Sequence, residues 1–125
     1  MTRIAFVFPG QGSQSVGMLN AWEGHAAVRD TLAEASDALG EDVARLIAEG
    51  PKEALDLTTN TQPVMLAAGV ACWRAWLAEG GARPEIVAGH SLGEYTALVA
   101  AGALSLKDAL PLPHQERSLI GRVVD

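Results

Sequence analysis

Ile4-Ala5-Phe6-Val7-Phe8 is a continuous apolar run stopped by Pro9-Gly10. Nothing polar alternates through it, so it predicts a strand buried on both faces, as in a parallel sheet. Gly10-Gln11-Gly12-Ser13-Gln14 then reads as a loop. Val28, Leu32, Ala35 and Leu39 recur at helical spacing, and Gly40 ends that helix. Val43, Leu46 and Ile47 form a shorter amphipathic turn closed by Gly50-Pro51. Thr61-Gln62-Pro63 opens a long helix, with Pro63 at or near the first position, where a missing N–H costs little. It runs to about Glu79, and its only charges are Arg74 and Glu79, so most of its surface is expected to be buried. After the break at Gly80-Gly81, Ile86-Val87-Ala88 is a second short strand. Leu92 to Ala101 is a helix of small residues ended by Gly102, and Ser105 with Asp108 caps another helix start.

Strands alternating with helices imply an α/β fold with a parallel sheet. Two strands are too few for a stable sheet. Either further strands escape the pattern, or part of the sheet lies outside this chain.

Composition narrows the function. A length of 125 residues fits one domain. Apolar residues at 49% and charged residues at 19% make a globular chain and exclude a disordered one. A net charge of −6 offers no electrostatic footprint for nucleic acid or an anionic membrane. Cys72 is the single cysteine, so no internal disulfide can form; its apolar flanks place it in the packed core. Ile4 to Phe8 is too short for a signal-peptide core, and Val64 to Ala78, interrupted by Arg74, is too short to span a bilayer. These features favour the cytoplasm.

The chemistry concentrates at Gly89-His90-Ser91-Leu92-Gly93, a G-x-S-x-G turn between strand and helix. A serine there projects its hydroxyl from a sharp turn, and glycines two residues either side remove Cβ atoms that would collide. The following helix aims its first N–H groups at a reacting carbonyl, which makes the Leu92 N–H a natural oxyanion donor. Gly10-Gln11-Gly12, after the first strand, is either the loop of a second donor or a plain turn. Ser15 stands where a dinucleotide fingerprint needs its third glycine, and no Gly-Lys-Ser or Gly-Lys-Thr is present for a phosphate loop. A base is harder to find. His25 reads as a surface or capping residue. His90 adjoins Ser91 and points to the other face, as a structural, hydrogen-bonded histidine. His114 follows the turn too closely in sequence. Glu94 suits the helix start.

Three segments resemble a known family. Phe8-Pro9-Gly10-Gln11-Gly12-Ser13-Gln14, Thr61-Gln62-Pro63 and Gly89-His90-Ser91-Leu92-Gly93-Glu94-Tyr95 are similar to the opening, middle and nucleophile motifs of malonyl-CoA:acyl carrier protein transacylases. The resemblance implies the large α/β subdomain of the acyltransferase fold, present in part, with a parallel sheet, helices on both faces and a serine nucleophile elbow. It spans residues 1–112, leaving 113–125 as a divergent tail, and the family's ferredoxin-like small subdomain is absent. It implies ping-pong transfer of a malonyl group from malonyl-CoA to acyl carrier protein in fatty acid biosynthesis, with Ser91 carrying the acyl group. The backbone N–H groups of Gln11 and Leu92 would hold the oxyanion, and Gln62 and His90 would line the substrate pocket. No metal or separate cofactor is implied, since coenzyme A enters as part of the substrate; nucleic acid and membrane are not expected partners. The family's base histidine belongs to a later part of the chain than this one reaches. Its carboxylate-binding arginine would fall at position 116, where Glu116 stands beside Arg117, with Pro111 and Pro113 breaking the helix. A serine esterase with the same elbow, and an inactive fragment that binds a partner, are the rival readings.

Overall fold

The structure, a computed structural model, describes residues 3–111. The elements run β1 (Ala5–Phe8), α1 (Ala26–Leu39), α2 (Val43–Glu49), α3 (Lys52–Asp56), α4 (Thr58–Ala78), β2 (Ile86–Gly89), α5 (Gly93–Ala100) and α6 (Leu106–Ala109), with one 3₁₀ turn at Asn20–Trp22. The two strands pair in parallel, with Phe6 opposite Val87 and Phe8 opposite Gly89. Their C-terminal ends therefore leave the sheet at the same edge.

The sheet buries one face. Phe8 packs with Trp73 of α4 and Ala97 of α5, and Phe6, Leu77 and Val87 join that cluster. Phe6 meets the Trp73 ring edge-on at 5.1 Å and the Trp76 ring at 5.4 Å, separations at which aromatic pairs attract. The other face is bare: Val7 is 78% exposed and Ile86 63%. The second layer of helices expected there is not among the described residues.

The larger core lies on the far side of α4. Val28, Leu32 and Ala35 of α1 pack with Leu66, Val70 and Ala71 of α4, and α2, α3 and α6 close its ends through Ile47, Leu55 and Leu106. This is why α4 reads as apolar almost all round: it is sandwiched between the sheet and α1. The α1 pattern is met, with Val28, Thr31, Leu32 and Ala35 buried and Gly40 left-handed at its C-terminus.

Two expectations need correcting. Helix α4 begins at Thr58, so Pro63 lies inside it rather than at its start. The Leu57 carbonyl accepts from the N–H groups of Asn60 and Thr61, each at 2.8 Å. The Thr61 hydroxyl then donates to the Leu55 and Leu57 carbonyls, so the turn holds where Pro63 brings no N–H. The short helix α3 carries no pattern long enough to announce itself. Cys72 is exposed, because it faces an open apolar cleft of about 350 Å3 bordered by Phe6, Phe8 and Met65. The protein around it still desolvates the thiol enough to push its pKa up, which makes it a poorer nucleophile.

Candidate active site

Ser91 follows β2 directly and is the one non-glycine residue with positive φ among the described residues, at 55°. A residue with a Cβ pays steric strain in that conformation, and such strain collects at functional sites. The turn is closed by N–H groups of Gly93 and Glu94, which donate to the carbonyls of His90 and Ser91, each at 3.0 Å. Both elbow glycines are required by contact. A Cβ on Gly89 would stand 1.9 Å from the Gly93 carbonyl oxygen, and one on Gly93 would stand 2.1 Å from that of Phe8. Only bare backbone lets α5 start this close to the sheet.

The loop after β1 meets this turn. The His90 N–H donates to the Phe8 carbonyl at 3.3 Å. A Cβ on Gly10 would lie 2.8 Å from the His90 carbonyl oxygen and 3.5 Å from the Ser91 Cβ. Gln11 is the next residue, so the two loops share one edge of the sheet. Neither the Gln11 N–H nor the Leu92 N–H is engaged by another described residue. Leu92, whose side chain is buried, immediately precedes α5, where a helix leaves its first N–H groups unpaired.

Gln62 is buried on α4 and its Nε2 donates to the Gln11 Oε1 at a long 3.4 Å. The Gln11 Nε2 donates in turn to the Thr58 Oγ1 at 3.2 Å. The Gln14 Oε1 accepts the Gly12 N–H at 2.8 Å, and the Gln14 Nε2 donates to the Asp56 Oδ1 at 3.0 Å. The pattern along the chain gave no hint of Thr58, Asp56 and Gln14, because these partners lie 42 to 47 residues apart.

The histidines divide clearly. His25 caps α1, its Nδ1 accepting from the Ala27 N–H, and its Nε2 is 2.7 Å from the Glu79 Oε1. Glu79 closes the end of α4 opposite Gln62, roughly 25 Å away at 1.5 Å per helical residue, so His25 is far from Ser91. His90 is exposed beside Ser91, and its ring makes no hydrogen bond among the described residues, unlike the structural histidine expected. His114, Glu116, Arg117 and the segment 113–125 lie outside the described residues. Glu94 occupies the first turn of α5. A cleft of about 450 Å3 between α1 and α2 is lined by Leu19, Val28, Leu32 and Ile47 and does not include Ser91. Its serine, Ser36, accepts the Val43 N–H at 3.0 Å and does not sit on an elbow as Ser91 does.

A strained serine between strand and helix, with a second loop laid against it, has the geometry of a nucleophile elbow. Residues 5–123 match the model of the acyl transferase domain, and the chain belongs to that family. The match runs past Leu112 to Val123. Over 113 residues the chain is 55% identical to the malonyl CoA-acyl carrier protein transacylase of Salmonella typhimurium, covering 90% of this chain and 37% of that protein. The crystal structure of an acyl-carrier-protein S-malonyltransferase from Burkholderia pseudomallei superposes with a TM-score of 0.88 at 70% identity, over 90% of this chain and 36% of that one. A malonyl transacylase bound to a type II polyketide synthase acyl carrier protein gives 0.87 at 48% identity, over 99% and 40%. The chain thus spans well under half the length of these relatives.

Proposed function

We propose that this chain is the nucleophile-bearing part of an enzyme that moves a malonyl group from malonyl-CoA to acyl carrier protein through a malonyl-Ser91 ester. The observation that carries the reading is Ser91 at φ 55°, with Gly10 laid against it from the other loop. The names of the relatives support malonyl-CoA and acyl carrier protein as substrates, and the motif resemblance implies fatty acid biosynthesis as the setting.

In the first half-reaction the Ser91 Oγ attacks the thioester carbonyl and loses its proton to a general base. The N–H groups of Gln11 and Leu92 stabilise the oxyanion of the tetrahedral intermediate. Its collapse breaks the C–S bond, and the coenzyme A thiolate leaves and is protonated. In the second half the pantetheine thiol of acyl carrier protein attacks the serine ester, and Ser91 leaves with a proton restored. Gln62 and His90 border the acyl group. The reaction needs no electron transfer, and coenzyme A takes part only as substrate. Among the described residues no histidine bonds to the Ser91 hydroxyl; the base and the partner of the malonyl carboxylate are the histidine and arginine that the family resemblance implies. The cytoplasm suits a chain with a single cysteine.

Intact mass after incubation with malonyl-CoA tests the reading. A single malonyl adduct on Ser91 is expected, formed slowly, because an oxyanion hole without its base retains only about 10³–10⁴ over water. The adduct should pass to the thiol of added acyl carrier protein. Release to water alone would establish an esterase, and an adduct that persists in Ser91→Ala would overturn the assignment.

A further inference from the structure

The loop 9–14 is exposed at Gln11, Gly12 and Ser13, yet an oxyanion donor must be held within about 0.5 Å of its working position. Its own sequence does not rigidify it. Gly12 adopts φ 112°, and no atom would touch a Cβ placed there. What holds it is the junction of α3 and α4. Thr58 and Gln62 grip the Gln11 amide from two sides, at 3.2 Å and 3.4 Å. Asp56 holds Gln14, whose other amide atom takes the Gly12 N–H. The Gln11 side chain and the peptide that follows it are thus held by two side-chain tethers. Asp56 is itself fixed by Lys52 on the preceding turn. Gln62 is only 6% exposed and its Oε1 finds no partner among the described residues, while its Nε2 holds Gln11. Unpaired buried atoms are rare in folded proteins and call for a reason.

We propose that Asp56, Thr58 and Gln62 are positioning residues for acyl transfer: through Gln14 and Gln11 they aim the Gln11 N–H at the oxyanion. The proposal rests on the acyl-transfer reading of Ser91 and adds to it the device that sets its second donor. Asp56 and Thr58 act only through Gln14 and Gln11, whereas Gln62 also borders the acyl group. Thr58 and Asp56 stand outside the hydrophobic cores, so removing their polar atoms spares the packing.

The test uses Thr58→Val and Asp56→Ala, with Thr58→Ser and Asp56→Asn as variants that keep an acceptor oxygen. Amide hydrogen exchange of residues 10–14 and Ser91 acylation by malonyl-CoA are both followed. Loss of either tether should speed loop exchange roughly tenfold while α1 and α4 keep their protection. The maximal acylation rate should fall roughly tenfold to a hundredfold, as for a donor displaced by about 1 Å, with half-saturation unchanged. The conservative variants should restore both. Unchanged loop exchange in Thr58→Val and Asp56→Ala would overturn the proposal. So would faster exchange with an unaltered acylation maximum, because order in the loop would then be idle. A wild-type chain that acquires no adduct would overturn the acyl-transfer reading and the catalytic part of the proposal together, while the exchange data would still decide whether the tethers order the loop.

Discussion

The two loops that meet beside Ser91 are held by opposite means. The elbow from Gly89 to Gly93 is fixed by its own backbone: carbonyls stand where any Cβ would go, and short-range hydrogen bonds close the turn. The loop from Pro9 to Gln14 has almost no such constraint and is held by side chains on α3 and α4, 42 to 51 residues distant. The elbow should therefore be intolerant of one added methyl and indifferent to distant polar residues. The tethered loop should tolerate an added methyl better, least well at Gly10, and should depend on those distant polar residues.

The largest effect should come from Gly93→Ala. Its methyl would meet the Phe8 and Pro9 carbonyl oxygens at 2.1 and 3.1 Å, and Phe8 is held in register opposite Gly89, so the backbone has little room to give way. A loss of about 4 kcal/mol or more is expected in denaturant unfolding, enough to unfold a marginal domain. Gly10→Ala should cost less, about 1–3 kcal/mol, by wedging the loops apart at the 2.8 Å approach to the His90 carbonyl. A cost at Gly93 no greater than at Gly10 would break the contrast.

Ser91→Gly separates stability from chemistry. Glycine relieves the strain of φ 55°, so the protein should gain about 1 kcal/mol while the malonyl adduct disappears. A destabilised Ser91→Gly chain would mean that the elbow is not strained. On the other side of the comparison, Gln14→Ala removes two exposed or half-buried hydrogen bonds and should cost about 1 kcal/mol or less. Its signature is faster amide exchange confined to residues 10–14, with the elbow unchanged.

Acid should produce the smallest effect, again on the tethered loop. Hydrogen bonds from Lys52 and Gln14 hold the Asp56 carboxyl below its ordinary value of 3.8. A depressed folded pKa means a contribution present above 3.8 and lost as pH falls through the lower, folded value. The same pair raises Lys52 above 10.5, so at the alkaline end its contribution disappears as pH rises past that folded value. Both groups are accessible to water, and the thermal midpoint should barely move. The protection of the loop amides relative to their intrinsic exchange should fall as Asp56 is protonated below pH 5, and Asp56→Asn should remove that pH dependence.

The elbow was legible in the sequence because its geometry is written in five consecutive residues: glycines two positions either side of Ser91, an apolar run before and small residues after. The 3.6-residue rhythm of Val28, Leu32 and Ala35 made α1 legible in the same way. Pro63 misled, since proline usually marks a helix start and here sits six residues in, behind a turn closed by Thr61 and Leu57. Cys72 misled because an apolar neighbourhood in sequence says which helix is buried and not which of its faces.

By itself, then, the sequence determined the parallel strand–helix alternation, the nucleophile turn and the packed helix α1, all set by sterics and periodicity among neighbouring residues. Only the tertiary structure decided that Gly10 lies against Ser91, that α4 begins at Thr58 beside Gln11, and that Asp56 reaches Gln14. Those contacts join residues tens of positions apart. Their existence depends on how α3 and α4 pack beneath the loop, and no local rule along the chain encodes that distance.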